Sequence, residues 1–123
     1  MSQLNYSYRI KSYFNASHAI RWENGTGQKH THTWEVICEL SSQSEQTVIF
    51  SDIEKALNGV FENISGGFLN TLEDFKERNP TVENVTLWLY RLITHALEQL
   101  DVQLTRLEVS ESPTRTYCIT ISD

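Results

Sequence analysis

An α+β domain is what these 123 residues predict. Two long stretches near the start alternate apolar and polar residues, two stretches in the middle repeat apolar residues at helical spacing, and two further alternating stretches close the chain. Strands grouped at both ends around a pair of helices give one antiparallel sheet with both helices on one face. The length suits one domain, residues 1–123, with one core.

The first strand runs from Leu4 to His18, with Tyr6, Tyr8, Ile10, Phe14, Ala16 and His18 on one parity. A turn-rich connection, "RWENGTGQK", follows; loops longer than a tight hairpin needs more often carry function. In the second strand His30, His32, Trp34, Val36, Cys38 and Leu40 share a face, and Thr31, Thr33, Glu35 and Glu39 take the other. "SSQSEQ" reads as a polar turn, and "TVIF" as a short apolar segment that could add a strand. "SDIE" has the form of a capping box, Ser51 at the N-cap and Glu54 three positions on. Ile53, Ala56, Leu57, Val60, Phe61 and Ile64 make the first helical stripe, ended by Gly66-Gly67. "NPTVEN" opens the second helix, with Asn79 or Thr81 as cap; Val85, Trp88, Leu89, Leu92, Ala96 and Leu100 form its stripe. The last two strands, "VQLTRLEVSES" and "TRTYCITIS", flank a turn at Ser112-Pro113. Leu107, Val109 and Glu111 share a parity, so a carboxylate ends a strand on an apolar face.

Composition narrows the function classes. A net charge of −6 leaves no basic footprint, so neither nucleic acid nor an acidic membrane surface is an expected partner. No apolar run is long enough to span a bilayer, and the start lacks the pattern of a signal peptide. Cys38 and Cys118 match no metal spacing and read as small buried hydrophobes, so a reduced, cytoplasmic location is expected.

Two of the four histidines stand at alternate positions in "KHTHTW". Side chains two residues apart on a strand share a face, roughly 6–7 Å apart along it, and two imidazoles so placed can converge on one metal ion. If the first two strands pair, His18 sits across the loop from His30 and His32, all on one face. Three imidazoles without a thiolate make the ligand set of a catalytic zinc site, leaving a fourth position for water or substrate. A satisfied core histidine is the competing reading of His18. His95 falls mid-helix on the outer face, and Glu73 and Asp74 read as exposed connector charges.

Six segments in order carry a family likeness: "FNASHAI", "HTH" in a strand, "FSDIEKAL", "FLN", "NPTVEN", and the late glutamate of "VSESPTRTY". Together they resemble the 6-pyruvoyltetrahydropterin synthase and 6-carboxytetrahydropterin synthase family over nearly the whole chain. The resemblance implies the tunnelling fold, in which sheets close a barrel in a trimer and trimers stack into hexamers with sites at subunit interfaces. It implies Zn2+ on His18, His30 and His32, and a pterin-like ligand whose pyrimidine edge is anchored by Glu111. Active members usually carry a catalytic cysteine in the loop that is "ENGTGQK" here, and an Asp-His pair at positions that fall on Ser65 and Gly66. This chain has neither. Glu23 is the catalytic candidate in that loop, since some members use a glutamate there; a solvated loop charge is its plainer reading.

Three functions therefore compete. The first is a zinc-dependent lyase of the synthase type acting on a dihydropterin such as dihydroneopterin triphosphate or dihydroneopterin. The second is a non-catalytic zinc- and pterin- or purine-binding protein that has lost synthase activity. The third, a structural zinc oligomer, leaves Glu111 without a purpose on its apolar face.

Overall fold

The computed structural model describes residues 2–42 and 48–122. In chain order its elements are β1 (Tyr8–His18), β2 (Arg21–Trp22), β3 (Gly25–Thr26), β4 (His30–Ser42), α1 (Phe50–Glu62), β5 (Gly67–Phe68), α2 (Val82–Leu97), β6 (Val102–Ser112) and β7 (Arg115–Thr120). Two short 3-10 turns, Leu69–Thr71 and Glu73–Phe75, lead from β5 towards α2. Five strands form the main sheet in the order β5-β1-β4-β6-β7, and β2 and β3 form a separate two-stranded hairpin. The architecture is α+β, as the sequence predicts. The sheet is mostly antiparallel rather than wholly so, because β5 pairs in parallel with β1 at Ala16 and Ser17.

Alternation puts one face of the sheet in the core. Ile10, Phe14 and Ala16 of β1, Trp34, Val36, Cys38 and Leu40 of β4, and Leu107 and Val109 of β6 are buried together with Ile53, Leu57 and Phe61 of α1 and Val85, Leu89 and Ile93 of α2. Both helices thus cover the same face. Phe14 lies between the rings of Trp34 and Phe61, at centroid distances of 5.8 and 5.6 Å. The opposite face is polar: Tyr13 donates to Glu35 at 3.0 Å, and Glu108 accepts from Arg106 at 3.0 Å and Arg9 at 3.3 Å.

Several local expectations change. β1 begins at Tyr8, and Leu4 and Tyr6 are exposed, because β4 offers partners only from Leu40 back to His30. Phe50 already belongs to α1, whose N-cap is Ile49 with no side-chain cap bond, so Ser51 lies inside the helix and the capping box does not form. Val48 and Ile49 form no strand. Residues 43–47, with most of the expected polar turn, lie outside the described residues. Thr81 is the cap of α2, its side chain accepting from the Asn84 amide at 3.1 Å. The buried stripe of α2 runs through Ile93 and Leu97 rather than Leu92 and Ala96, one position round the helix. Cys38 is buried, which pushes its thiol up to about 12, whereas Cys118 is exposed on β7, contrary to expectation. That strand forms one edge of the sheet, and Arg115 through Cys118 are all exposed. No helix among the described residues is long and apolar enough to cross a membrane.

Candidate metal and ligand site

The register of β1 on β4 pairs His18 with His30 and Ala16 with His32. The end of one strand therefore meets the start of the next, and the imidazoles gather where the sheet meets the N-terminus of α2. His18 is buried and packs edge-on to His32 and Trp34, with ring centroids 4.9 and 5.1 Å away. His30 is exposed, its ring 6.2 Å from that of His32.

A fixed partner sets the tautomer of His18. Its Nδ1 lies 2.7 Å from the carbonyl oxygen of Pro80. A carbonyl only accepts, so Nδ1 carries the proton and donates, leaving the Nε2 lone pair free. Orientation of a ligating histidine through its second nitrogen is a recurrent feature of metal sites. Pro80 itself is held by a strap. The Arg21 guanidinium donates to the carbonyls of Lys76 at 2.8 Å, Arg78 at 2.9 Å and also Phe75. Asn79 pairs its amide with both backbone groups of Arg21, and Asn70 does the same with Ala19. The segment just after His18 is thereby tied at alternate residues to the chain that precedes α2.

Glu111 reaches the same place from β6. The pairing of β6 with β7 shifts between Ser110 and Ser112, so Glu111 is the extra residue of a bulge, a device that re-aims a side chain. Its side chain is 14% exposed, with Oε2 3.6 Å from His18 Nε2 and Oε1 3.7 Å from Arg115 Nη1. Ligand atoms of His18, His32 and Glu111 all lie within 4.8 Å of one another. Burial, then the neighbouring His18, hold the imidazolium of His32 below the usual histidine range, against the pull of Glu111. A neutral imidazole with a free lone pair is what a metal requires. The donor set fits a divalent ion of zinc's type: two converging imidazoles, a carboxylate, and His30 on the same cavity wall.

That cavity, about 370 Å³, is lined by the three histidines, Ile20, Thr81, Val82, Glu83, Glu111 and Arg115. A larger groove of about 540 Å³ between residues 73–78 and α2 contains none of the histidines; the ion pair on its wall, Lys76 with Glu73, is exposed. Of the residues singled out in the sequence, His18, His30, His32 and Glu111 share one cavity. Glu23 stands apart, exposed in the turn of the β2–β3 hairpin and absent from the cavity wall. Ser65 and Gly66 are exposed ahead of β5; Gly66 has φ +84°, a left-handed backbone that disfavours any side chain there. His95 is exposed on α2, and Glu73 and Asp74 are exposed, Asp74 accepting from the Trp88 indole at 3.1 Å. Sequence reasoning missed Glu83 and Arg115. Glu83 read as one charge in a helix's first turn, and no local signal ties it to the histidines.

Known proteins share this fold and sequence pattern. A family model described as 6-pyruvoyl tetrahydropterin synthase matches residues 7–121. A dihydroneopterin monophosphate aldolase of Pyrococcus furiosus is 34% identical over 101 residues, covering 80% of this chain and 82% of the relative. Among solved structures, the 6-pyruvoyl tetrahydropterin synthase of Caenorhabditis elegans superposes with a TM-score of 0.79 at 17% identity, covering 99% of this chain and all of that one. A Plasmodium vivax 6-pyruvoyltetrahydropterin synthase, altered at a catalytic glutamate, gives 0.74 at 16% identity, covering 94% of this chain and 98% of that one. The fold is that of these synthases. With the match running from the strand before His18 to the strand beyond Glu111, the chain belongs to the 6-pyruvoyl tetrahydropterin synthase family.

Proposed function

We propose that this protein is a metal-dependent lyase that cleaves the side chain of a dihydropterin, with dihydroneopterin and its monophosphate as the substrate class. The observation that carries this reading is the convergence of His18, His32 and Glu111 in one cavity, beside His30. His18, His30 and His32 would hold a zinc ion, whose chemistry when bound is Lewis-acid polarisation of the substrate's side-chain oxygens. Glu111 would accept hydrogen bonds from the amino group and ring N–H of the pterin. Ile20 and Val82 offer apolar wall on which the rings can lie.

The reaction favoured is retro-aldol cleavage rather than loss of triphosphate. The aldolase relative supports this, and so does the lack of the cysteine and Asp-His pair. A base takes the proton from the second side-chain hydroxyl, and the bond between the first and second side-chain carbons breaks. Its electron pair moves into the ring imine. The first carbon then takes a proton, giving a hydroxymethyl dihydropterin and a two-carbon aldehyde. Glu83, on the cavity wall, is the carboxylate positioned to carry that proton. A second reading assigns it to Glu23, supported by the catalytic glutamate of the Plasmodium vivax enzyme. Glu23 would act across a subunit contact, since it lies off the wall within one chain.

The test is incubation of the metal-loaded protein with dihydroneopterin, its monophosphate and its triphosphate. Release of glycolaldehyde or its phosphate with hydroxymethyl dihydropterin is expected; released triphosphate with no aldehyde would replace the aldolase reading by the synthase one. No product from any of them, with tight pterin binding, would leave the non-catalytic binding protein. Glu83→Gln should lower kcat with KM little changed, whereas the same result for Glu23→Gln would move the proton to the hairpin.

We also propose a homo-oligomer, a trimer or hexamer, because β7 leaves an exposed sheet edge that ring closure would pair. Light scattering at micromolar concentration should return three or six chains. A monomer would count against closure, and with it against any role for Glu23.

A further inference from the structure

We infer that Arg115 is a specificity residue, which together with Glu111 reads three successive groups on a 2-amino-4-oxo-pyrimidine edge. This rests on the pterin reading above and adds to it a donor that recognises the ring's carbonyl oxygen.

Such an edge presents an amino donor, a ring N–H donor and a carbonyl acceptor in a row. A carboxylate only accepts, so Glu111 can satisfy the first two and must leave the carbonyl unserved. Placed next to Glu111, that oxygen needs a donor on the adjoining side. Arg115 supplies one: its Nη1 lies 3.7 Å from Glu111 Oε1, beside it but beyond hydrogen-bond range. The guanidinium is therefore close to the carboxylate without being consumed by it. Both side chains line the same cavity, and the other carboxylate oxygen faces His18.

Local structure explains the pairing. The bulge at Glu111 and the turn after Ser112 bring the fourth residue on, Arg115, to the start of β7 opposite Ser112. Glu111 is nearly buried while Arg115 is 74% exposed, so the pair runs from the floor of the site to its rim. A bound ring would cover the guanidinium and strengthen a bond that is weak in open solvent.

The experiment compares binding of pterin with that of its analogue carrying sulfur for the 4-oxygen. The analogue keeps both donors and replaces the acceptor with a weak one. Titration followed by calorimetry or pterin fluorescence is read on metal-loaded wild type, Arg115→Met and Glu111→Gln. Wild type should prefer the oxygen compound about tenfold, since a bond to a charged group is worth about 1.4 kcal/mol or more. In Arg115→Met that preference should fall to about twofold or less, whereas Glu111→Gln should lose affinity for both compounds alike. An Arg115→Met variant that keeps the full preference would overturn the inference and leave the pterin reading intact. Wild type that binds neither compound would overturn both. Guanine presents the same edge on a smaller ring system, and should bind more weakly than pterin while keeping the dependence on Arg115. Guanine bound more tightly than pterin would move the edge readout to a purine and overturn the pterin reading.

Discussion

Replacing His32 with alanine should strip the protein of its metal. Wild type dialysed against a weak chelator is expected to retain about one zinc per chain; His32→Ala should retain close to none. Substitutions outside the first coordination sphere already cost ten- to a hundredfold in metal affinity, so loss of a ligand should cost on the order of a thousandfold. His32 is a better target than His18. It is half-buried, while His18 is buried against Trp34 and tied to Pro80, so its removal would disturb packing as well. His30→Ala then identifies the third donor. Metal loss in His30→Ala with retention in Glu111→Gln would establish the three-histidine set. The reverse would make Glu111 a ligand, consistent with its 3.6 Å approach to His18, and would remove it from ring recognition. Full occupancy in His32→Ala, checked by elemental analysis on folded protein, would end the metal assignment.

Glu111→Gln should weaken pterin binding by about 30- to 1,000-fold. Two parallel bonds from a carboxylate to a ring N–H and an amino group are charge-assisted and stronger than neutral ones. Losing them in a largely buried site should cost roughly 2–4 kcal/mol, and about 1.4 kcal/mol is a factor of ten. The glutamine keeps the size and turns one acceptor into a donor, which then faces the ligand's own donors. At 14% exposure, Glu111 has little water to take over. Calorimetry on wild type and variant, with zinc content measured alongside, reads both quantities. Equal affinities would mean that Glu111 does not read the ring, and the pterin reading would lose its main chemical support.

Periodicity made much of this site legible before any fold was known. Alternation placed His18 on the parity of Phe14 and Ala16, and His30 and His32 on that of Trp34, because a strand's side-chain period is two and needs no tertiary information. The observed register, which pairs His18 with His30, carries that pattern directly into space. Helical spacing identified both helices for the same reason, although it misjudged the stripe of α2 by one position. Two-residue strands such as β2, β3 and β5 escaped, since two residues have no period. Ser51 and Glu54 carried the letters of a capping box, but the helix starts two residues earlier than that box requires, at Phe50 with Ile49 as its N-cap. Only tertiary structure decided which side chains share the cavity. Pro80, 62 positions from His18, fixes that ring's tautomer through a carbonyl that no motif announces. The bulge that aims Glu111 is a two-against-one mismatch between β6 and β7, invisible in either strand alone. Glu83 and Arg115 join the histidines, and Glu23 departs from them, because helix docking and hairpin direction are set by contacts distant in sequence. Local pattern fixes the face a residue takes on its own element; what stands opposite it depends on how the elements pack.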